Sequence, residues 1–119
     1  MPAFSIQALS LPHCCILVDA TALSQDQQRL WANIQRAISA EYHELQWPFM
    51  WELVQDGRGV HSYVAGFIDM LSRDKVLLSL GDVPHLTHTV MRLASLQDML
   101  EQPLLKRRLW QFMQNKPQA

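Results

Sequence analysis

Two aspartates follow apolar stretches of the chain, and carboxylates in such positions could do acid–base chemistry. Asp19 ends the apolar run 14–18, and Asp82 follows the run 75–80. Open α/β sheets place ligands outside the carboxyl ends of their strands, where two carboxylates could serve as general acid and base. Aspartate is also a common turn and capping residue. We therefore favour a structural role for both, while the enzymatic alternative predicts a pocket near these two strand ends.

The histidine, cysteine and glycine patterns match no metal, reactive-thiol or phosphate site. The segment that contains His85 and His88 is predicted to be a loop that leads into a strand, and no third metal ligand is nearby in sequence. Cys14 and Cys15 are adjacent, so a strand points them to opposite faces, and we predict two buried thiols. Residues 57–59 carry only a two-glycine turn and match neither glycine-rich phosphate signature. We predict no catalytic residue, no metal site and no cofactor.

Length and charge restrict the class of protein further. The 119 residues fit a single α/β domain spanning 1–119, with 49% hydrophobic residues and a net charge of −1. The chain shows no transmembrane run and no secretory signal, so we expect a cytoplasmic protein that does not enter the membrane. The near-neutral charge argues against strong direct nucleic-acid binding. We therefore interpret the basic cluster 106–108 as a solvated helix face.

Hydrophobic periodicity predicts five strands. They are residues 4–10, 14–18, 44–50, 75–80 and 87–93. Pro12 falls between the first two strands and predicts a hairpin turn there. The second strand is apolar throughout, which is typical of a central strand buried on both faces.

Four helices are predicted between and after the strands. They are residues 25–41, 61–71, 95–100 and 103–114. Ser24 and Gln27 form the capping-box pattern ahead of the first helix. The side chains expected to pack on the sheet are Leu30, Ile34, Ala37 and Ile38 from the first helix, and Leu105, Leu109, Phe112 and Met113 from the last. The alternation of strands and helices predicts a three-layer domain with a mostly parallel central sheet flanked by helices.

Four tryptophans are a heavy aromatic load for a chain of 119 residues. Exposed aromatic side chains are common anchors of protein–protein interfaces. We therefore name the tryptophans as candidates for a partner interface: Trp31, Trp47, Trp51 and Trp110.

The segment 96–110 resembles the C-terminal signature of the psi subunit family of bacterial DNA polymerase III. That signature has a turn, a proline, basic residues and then a helical Leu-Trp or Ala-Trp pair. The residues that carry the resemblance are Leu96, Asp98, Pro103, Lys106, Arg107 and Trp110. Residues 6–18 are also similar to the family's arrangement of a strand, a proline and a second apolar strand.

The resemblance implies a uracil-DNA glycosylase-like fold without catalytic activity. It implies an adaptor subunit that pairs with the chi subunit and links the clamp loader to single-stranded DNA-binding protein. Where the glycosylases have a His-Pro-Ser motif, this chain has Ser95-Leu96-Gln97, and residues 19–23 lack the glycines of the catalytic loop. The family usually has an N-terminal arm that engages the clamp loader. Residues 1–3 are short for it, so we expect an upstream arm or a different loader contact.

Two other functions are compatible with the same residues. One is a glycosylase-like or other small α/β enzyme that uses Asp19 or Asp82. The other is an α/β protein-interaction domain of an unrelated complex.

Overall fold

The computed structural model describes residues 3–47 and 59–114. Within them, the strands are β1 (Phe4–Ser10), β2 (Cys14–Asp19), β3 (Glu41–Trp47), β4 (Val76–Leu80) and β5 (Met91–Leu93). The helices are α1 (Gln25–Ala37), α2 (Val60–Ser72), α3 (Leu96–Glu101) and α4 (Lys106–Met113), and a 3-10 helix at Pro103–Leu105 precedes α4. The chain is thus an α/β domain, as the sequence predicts.

The described strands form one mixed sheet in the order β3-β1-β2-β4-β5. β1 pairs antiparallel with both β2 and β3, whereas β2–β4 and β4–β5 are parallel pairs. The prediction of a mostly parallel sheet is therefore wrong. The physical reason is the position of one strand: β1 alone runs against the others, and it lies between β2 and β3. The helical connection through α1 still joins two strands of the same direction, in a split β-α-β arrangement.

The β1–β2 hairpin forms as predicted. Its register pairs Ile6 with Asp19 and Ser10 with Cys15. The turn is closed by the Leu11 N–H, which donates to the Cys14 carbonyl at 2.8 Å. Pro12 lies in this turn, where its missing N–H costs the ladder nothing.

Strand β2 is buried on both faces and divides the core in two. Cys14, Ile16 and Val18 belong to one apolar cluster, and Cys15 and Leu17 belong to the other. Side chains of α1, α3 and α4 complete the first cluster, and α2 completes the second through Val60, Val64, Ile68 and Leu71. Successive strand residues point to opposite faces, so β2 carries apolar side chains on both faces. Helices cover the sheet on both sides and bury them.

Helix α1 begins as predicted and ends earlier than predicted. The Ser24 hydroxyl accepts from the Gln27 N–H, and the Gln27 side chain accepts in return from the Ser24 N–H, which completes the capping box. The helix stops at Ala37 rather than at residue 41 because β3 already begins at Glu41. Ala37 is exposed, so its predicted packing on the sheet is wrong, and Trp31 is buried in that layer instead.

The predicted last helix divides into a 3-10 helix and α4. Leu109 and Met113 are buried, and Phe112 packs against the same cluster, as predicted. Leu105 is 38% exposed, so its predicted place on the sheet is wrong. A 3-10 helix has three residues per turn rather than 3.6, which takes Leu105 off the stripe that α4 continues.

The starts of two strands differ from the prediction by three residues or more. β3 begins at Glu41, three residues before the predicted start at residue 44, and residues 48–50 lie outside the described residues. β5 covers only Met91–Leu93, and residues 87–90 are irregular. The predicted helix 61–71 is present as α2.

Burial predicts unequal costs for two substitutions on α2. Ile68 is fully buried, whereas Met70 is 65% exposed. We expect Ile68→Ala to lower the free energy of unfolding by about 2–5 kcal/mol. The matched variant Met70→Ala should change it by less than about 0.5 kcal/mol. Urea denaturation followed by circular dichroism measures both, and equal losses would contradict the described packing.

Candidate functional site

The carboxyl ends of β2 and β4 open into a cleft of about 480 Å³. The two strands are parallel neighbours, with Ile16 opposite Leu78 and Leu17 opposite Ser79. Their ends therefore meet at one edge of the sheet. The polar side chains that line the cleft are Asp19, Thr21, Gln27, Asp82, Ser95 and Gln97. The sequence-predicted carboxylates thus share one cleft, at the end of the sheet where α/β proteins place ligands.

The Asp19 carboxylate holds the turn that follows β2. Its Oδ1 accepts a hydrogen bond of 3.0 Å from the Thr21 N–H and another from the Thr21 hydroxyl. The Thr21 oxygen in turn accepts from the Ser5 N–H at 3.0 Å, which ties the turn to β1. This pattern is an Asx turn, a structural use of aspartate.

The Asp82 carboxylate forms an ion pair with Arg92. Its Oδ1 lies 3.0 Å from Arg92 Nη1, and both side chains are largely exposed. An exposed pair of this kind contributes at most about 1 kcal/mol to stability. Its structural effect is to connect the loop after β4 with strand β5.

The N-termini of α1 and α3 flank the cleft, and each is capped by side chains of its own first residues. In α3 the Ser95 hydroxyl accepts from the Asp98 N–H at 3.1 Å, and the Asp98 carboxylate accepts from the Ser95 N–H. The Ser95-x-x-Asp98 spacing is a capping signal that could have been read from the sequence. The Gln27 amide donates to Gln97 Oε1 at 3.2 Å and so joins α1 to α3. No sequence signal predicts that last contact, because the two residues are far apart in the chain.

His85 and His88, whose spacing was considered above for a metal site, contact different residues. The His85 ring lies 4.7 Å from the Phe4 ring centroid and 5.4 Å from that of His61. His88 Nε2 instead lies 2.6 Å from Asp69 Oδ1. Within residues 3–47 and 59–114, no group of three or more histidine, cysteine, aspartate or glutamate side chains is arranged to hold a metal ion.

Both cysteines are fully buried thiols, as predicted. Burial raises the pKa of Cys14 and of Cys15 to about 11, although the nearby Lys75 ammonium partly opposes the shift. A nucleophilic cysteine needs a thiolate at neutral pH. At pH 7 both groups are therefore protonated, and their role is to fill the core.

The tryptophans occupy different environments. Trp31 is 2% exposed, and its indole N–H donates to Gln7 Oε1 at 2.8 Å. Trp47 is also 2% exposed, and its ring lies 5.5 Å from that of Tyr63. Trp110 is half-buried against the core, and Trp51 lies outside the described residues. A role in a partner interface stays a prediction for all four. Trp110 is the most solvent-accessible of the three that the structure describes.

The residues that carry the psi resemblance build the C-terminal helical segment. Leu96 is buried in the core, Asp98 caps α3, and Pro103 opens the 3-10 helix. Lys106 and Arg107 begin α4, where Lys106 is partly buried and Arg107 is exposed. The basic cluster is thus a largely exposed helix face, as expected from its sequence.

Among the described residues, none of the helices is long and apolar enough to span a membrane.

Comparisons of the chain with protein-family models, with curated proteins and with solved structures found no match.

Gly81 directly follows β4 and lines the cleft. Any other residue at this position would be strained. The φ of Gly81 is +77°, and a Cβ atom there would lie 2.8 Å from the Ser95 Cβ. We expect Gly81→Ala to lower the free energy of unfolding by about 1–3 kcal/mol. The matched control is Gly66 in α2, where an added Cβ atom would meet nothing within 4 Å. Gly66→Ala should stabilise the helix by about 0.5–1 kcal/mol. Thermal unfolding that lowers the midpoint equally for both variants would contradict the described close approach.

Proposed function

We propose that this chain is a non-catalytic adaptor subunit that resembles psi of bacterial DNA polymerase III. It pairs with a chi-like subunit in the cytoplasm and links the clamp loader to single-stranded DNA-binding protein. The proposal includes a uracil-DNA glycosylase-like fold. A sheet covered by helices on both faces is compatible with that fold.

The observation that carries this proposal is the contact between the two segments that resemble the psi family. Residues 6–18 form most of the β1–β2 hairpin, and residues 96–110 form α3, the 3-10 helix and part of α4. Both segments contribute to one apolar cluster, which contains Leu9, Ile16, Leu96 and Leu109. His13 Nε2 also lies 2.6 Å from the Phe112 carbonyl oxygen, and so joins the hairpin turn to α4. Segments from opposite ends of the chain thus form a single structural unit. This supports the interpretation that both segments belong to one family pattern.

The cleft supports the non-catalytic part of the proposal. A general acid or base must be free to exchange a proton with the substrate. Asp19 instead accepts two hydrogen bonds from Thr21, and Asp82 is paired with Arg92. Each aspartate thus uses its Oδ1 oxygen to hold a turn or to join a loop to a strand, which favours a structural role for both.

The test of the adaptor is complex formation with a chi subunit. The chain and chi are co-expressed and separated by size-exclusion chromatography with light scattering. We expect a heterodimer whose interface buries on the order of 1,200–2,000 Å². A chain that is folded by circular dichroism but elutes as a monomer beside chi at micromolar concentrations would contradict the proposal. If a pull-down from cells then recovers some other complex, the chain is an interaction domain of a different assembly.

One observation favours a second candidate, an α/β enzyme of the glycosylase type. The cleft volume of about 480 Å³ lies within the usual range for small-molecule sites, and Asp19 lines it.

Uracil release from single-stranded DNA tests this second candidate. If Asp19 is catalytic, Asp19→Asn should reduce release at least about 100-fold, by the usual size of an acid–base contribution. Asparagine keeps the side-chain oxygen that accepts from Thr21, so the turn is preserved. Asp26→Asn, on the exposed first turn of α1, is the matched control and should leave release unchanged. No release by the wild-type chain at high protein concentration would exclude this candidate.

A further inference from the structure

Exposed apolar side chains are concentrated near the C-terminal helical segment. Among the described residues, seven large hydrophobic side chains are exposed, and four of them fall within residues 91–105: Met91 at 38%, Leu100 at 37%, Leu104 at 78% and Leu105 at 38%. The other three, Tyr42, Met70 and Val76, lie singly elsewhere in the sequence. Single exposed apolar residues are ordinary, whereas a group of them in one region indicates an interaction site.

Leu104 and Leu105 line a groove of about 420 Å³ between β5 and the segment Pro103–Met113. One wall comes from Arg92 to Ala94, at the edge strand of the sheet, and the other from the 3-10 helix and α4. We call this feature the β5–α4 groove. Its walls are held in place, since Leu93 and Leu109 are buried in the core and Pro103 fixes the start of the 3-10 helix.

The charge of the β5–α4 groove is positive. Arg92, Arg107 and Arg108 line it, and no carboxylate is part of its lining within the described residues. Arg92 is neutralised by Asp82 at 3.0 Å. In the part of the chain that the structure describes, Arg107 and Arg108 form no ion pair, and the Arg108 guanidinium instead lies 3.6 Å from the Met91 sulfur. Two guanidinium groups are thus available beside an apolar surface.

We infer that the β5–α4 groove binds an acidic segment of a partner protein that also carries apolar side chains. Carboxylates of such a segment pair with Arg107 and Arg108, because the guanidinium fork matches a carboxylate in two hydrogen bonds. Its apolar side chains cover Leu104 and Leu105. The inference rests on the proposed adaptor function and specifies the chemistry of one of its contacts.

A protein segment fits this groove better than a nucleic acid. Proteins that bind single strands combine basic grooves with aromatic side chains on which the bases stack. The described lining contains leucine, alanine, glutamine and arginine side chains and no aromatic ring. The whole chain also carries a net charge of −1, rather than the excess of positive charge typical of phosphate binding.

In the experiment, a library of displayed random peptides is selected for binding to the whole 119-residue chain. The affinity of enriched peptides is then measured by fluorescence anisotropy. We expect enriched sequences that combine aspartate or glutamate with leucine-like side chains. The double variant Arg107→Glu with Arg108→Glu should weaken their binding at least about tenfold, the usual scale for losing a close charge pair. Leu104→Ser should weaken it as well, and its exposed position predicts a folded variant.

Two controls separate a specific groove from a general charge effect. The double variant Arg29→Glu with Arg36→Glu changes the net charge by the same amount on exposed positions of α1, and it should leave the affinity unchanged. Circular dichroism must show that all variants are folded. An oligothymidylate probe is titrated in parallel at low and high salt.

Three outcomes would overturn the inference. They are a selection without acidic enrichment, enriched peptides that bind the α4 double variant as tightly as the wild type, and oligothymidylate binding that only the α4 variant loses. The complex with chi, measured on the same variants, keeps this inference distinct from the proposed function. If chi binds and no acidic peptide is selected, the adaptor proposal stands and the groove inference fails.

Discussion

Strand β2 needs cover on both of its faces, and much of the described structure follows from that requirement. Its residues from Cys14 to Val18 are at most 2% exposed. A strand points successive side chains to opposite sides, so two separate apolar layers must be supplied. Helices α1, α3 and α4 supply one layer, and α2 supplies the other. The same strand ends at Asp19, and its parallel pairing with β4 fixes where the cleft opens.

Local patterns in the sequence predict the elements well and their arrangement less well. The alternation in residues 4–10, the apolar run 14–18 and the Ser24–Gln27 capping box all correspond to what the structure shows. The place of β1 between β2 and β3 depends on pairing between distant residues, which no local pattern encodes. Similarly, the burial of Trp31 in helix α1 depends on Gln7 of strand β1, which accepts its indole N–H. Leu105 is exposed because a short 3-10 helix breaks the periodicity on which its prediction was based.

The candidate site shows the same division between local and distant information. The two carboxylates could be placed at one sheet edge from the strand pattern alone, and both line the cleft. What each carboxylate does depends on its contacts. Thr21 is close enough in sequence for an Asx turn to be foreseen, whereas the pairing of Asp82 with Arg92 depends on β5 lying beside β4. The bridge between Gln27 and Gln97 is likewise a product of the tertiary fold.

The Asp82–Arg92 ion pair joins the two concave surfaces and makes their chemistry different. Asp82 lines the cleft and Arg92 lines the β5–α4 groove. The pair therefore occupies one carboxylate of the cleft while it neutralises one cation of the groove. In the cleft, the remaining carboxylate, Asp19, accepts hydrogen bonds from Thr21 through its Oδ1. In the groove, two guanidinium groups remain beside exposed leucines. A partner that brings carboxylates and apolar side chains would satisfy both features of the groove at once, which is the combination that protein interfaces use to join affinity with specificity.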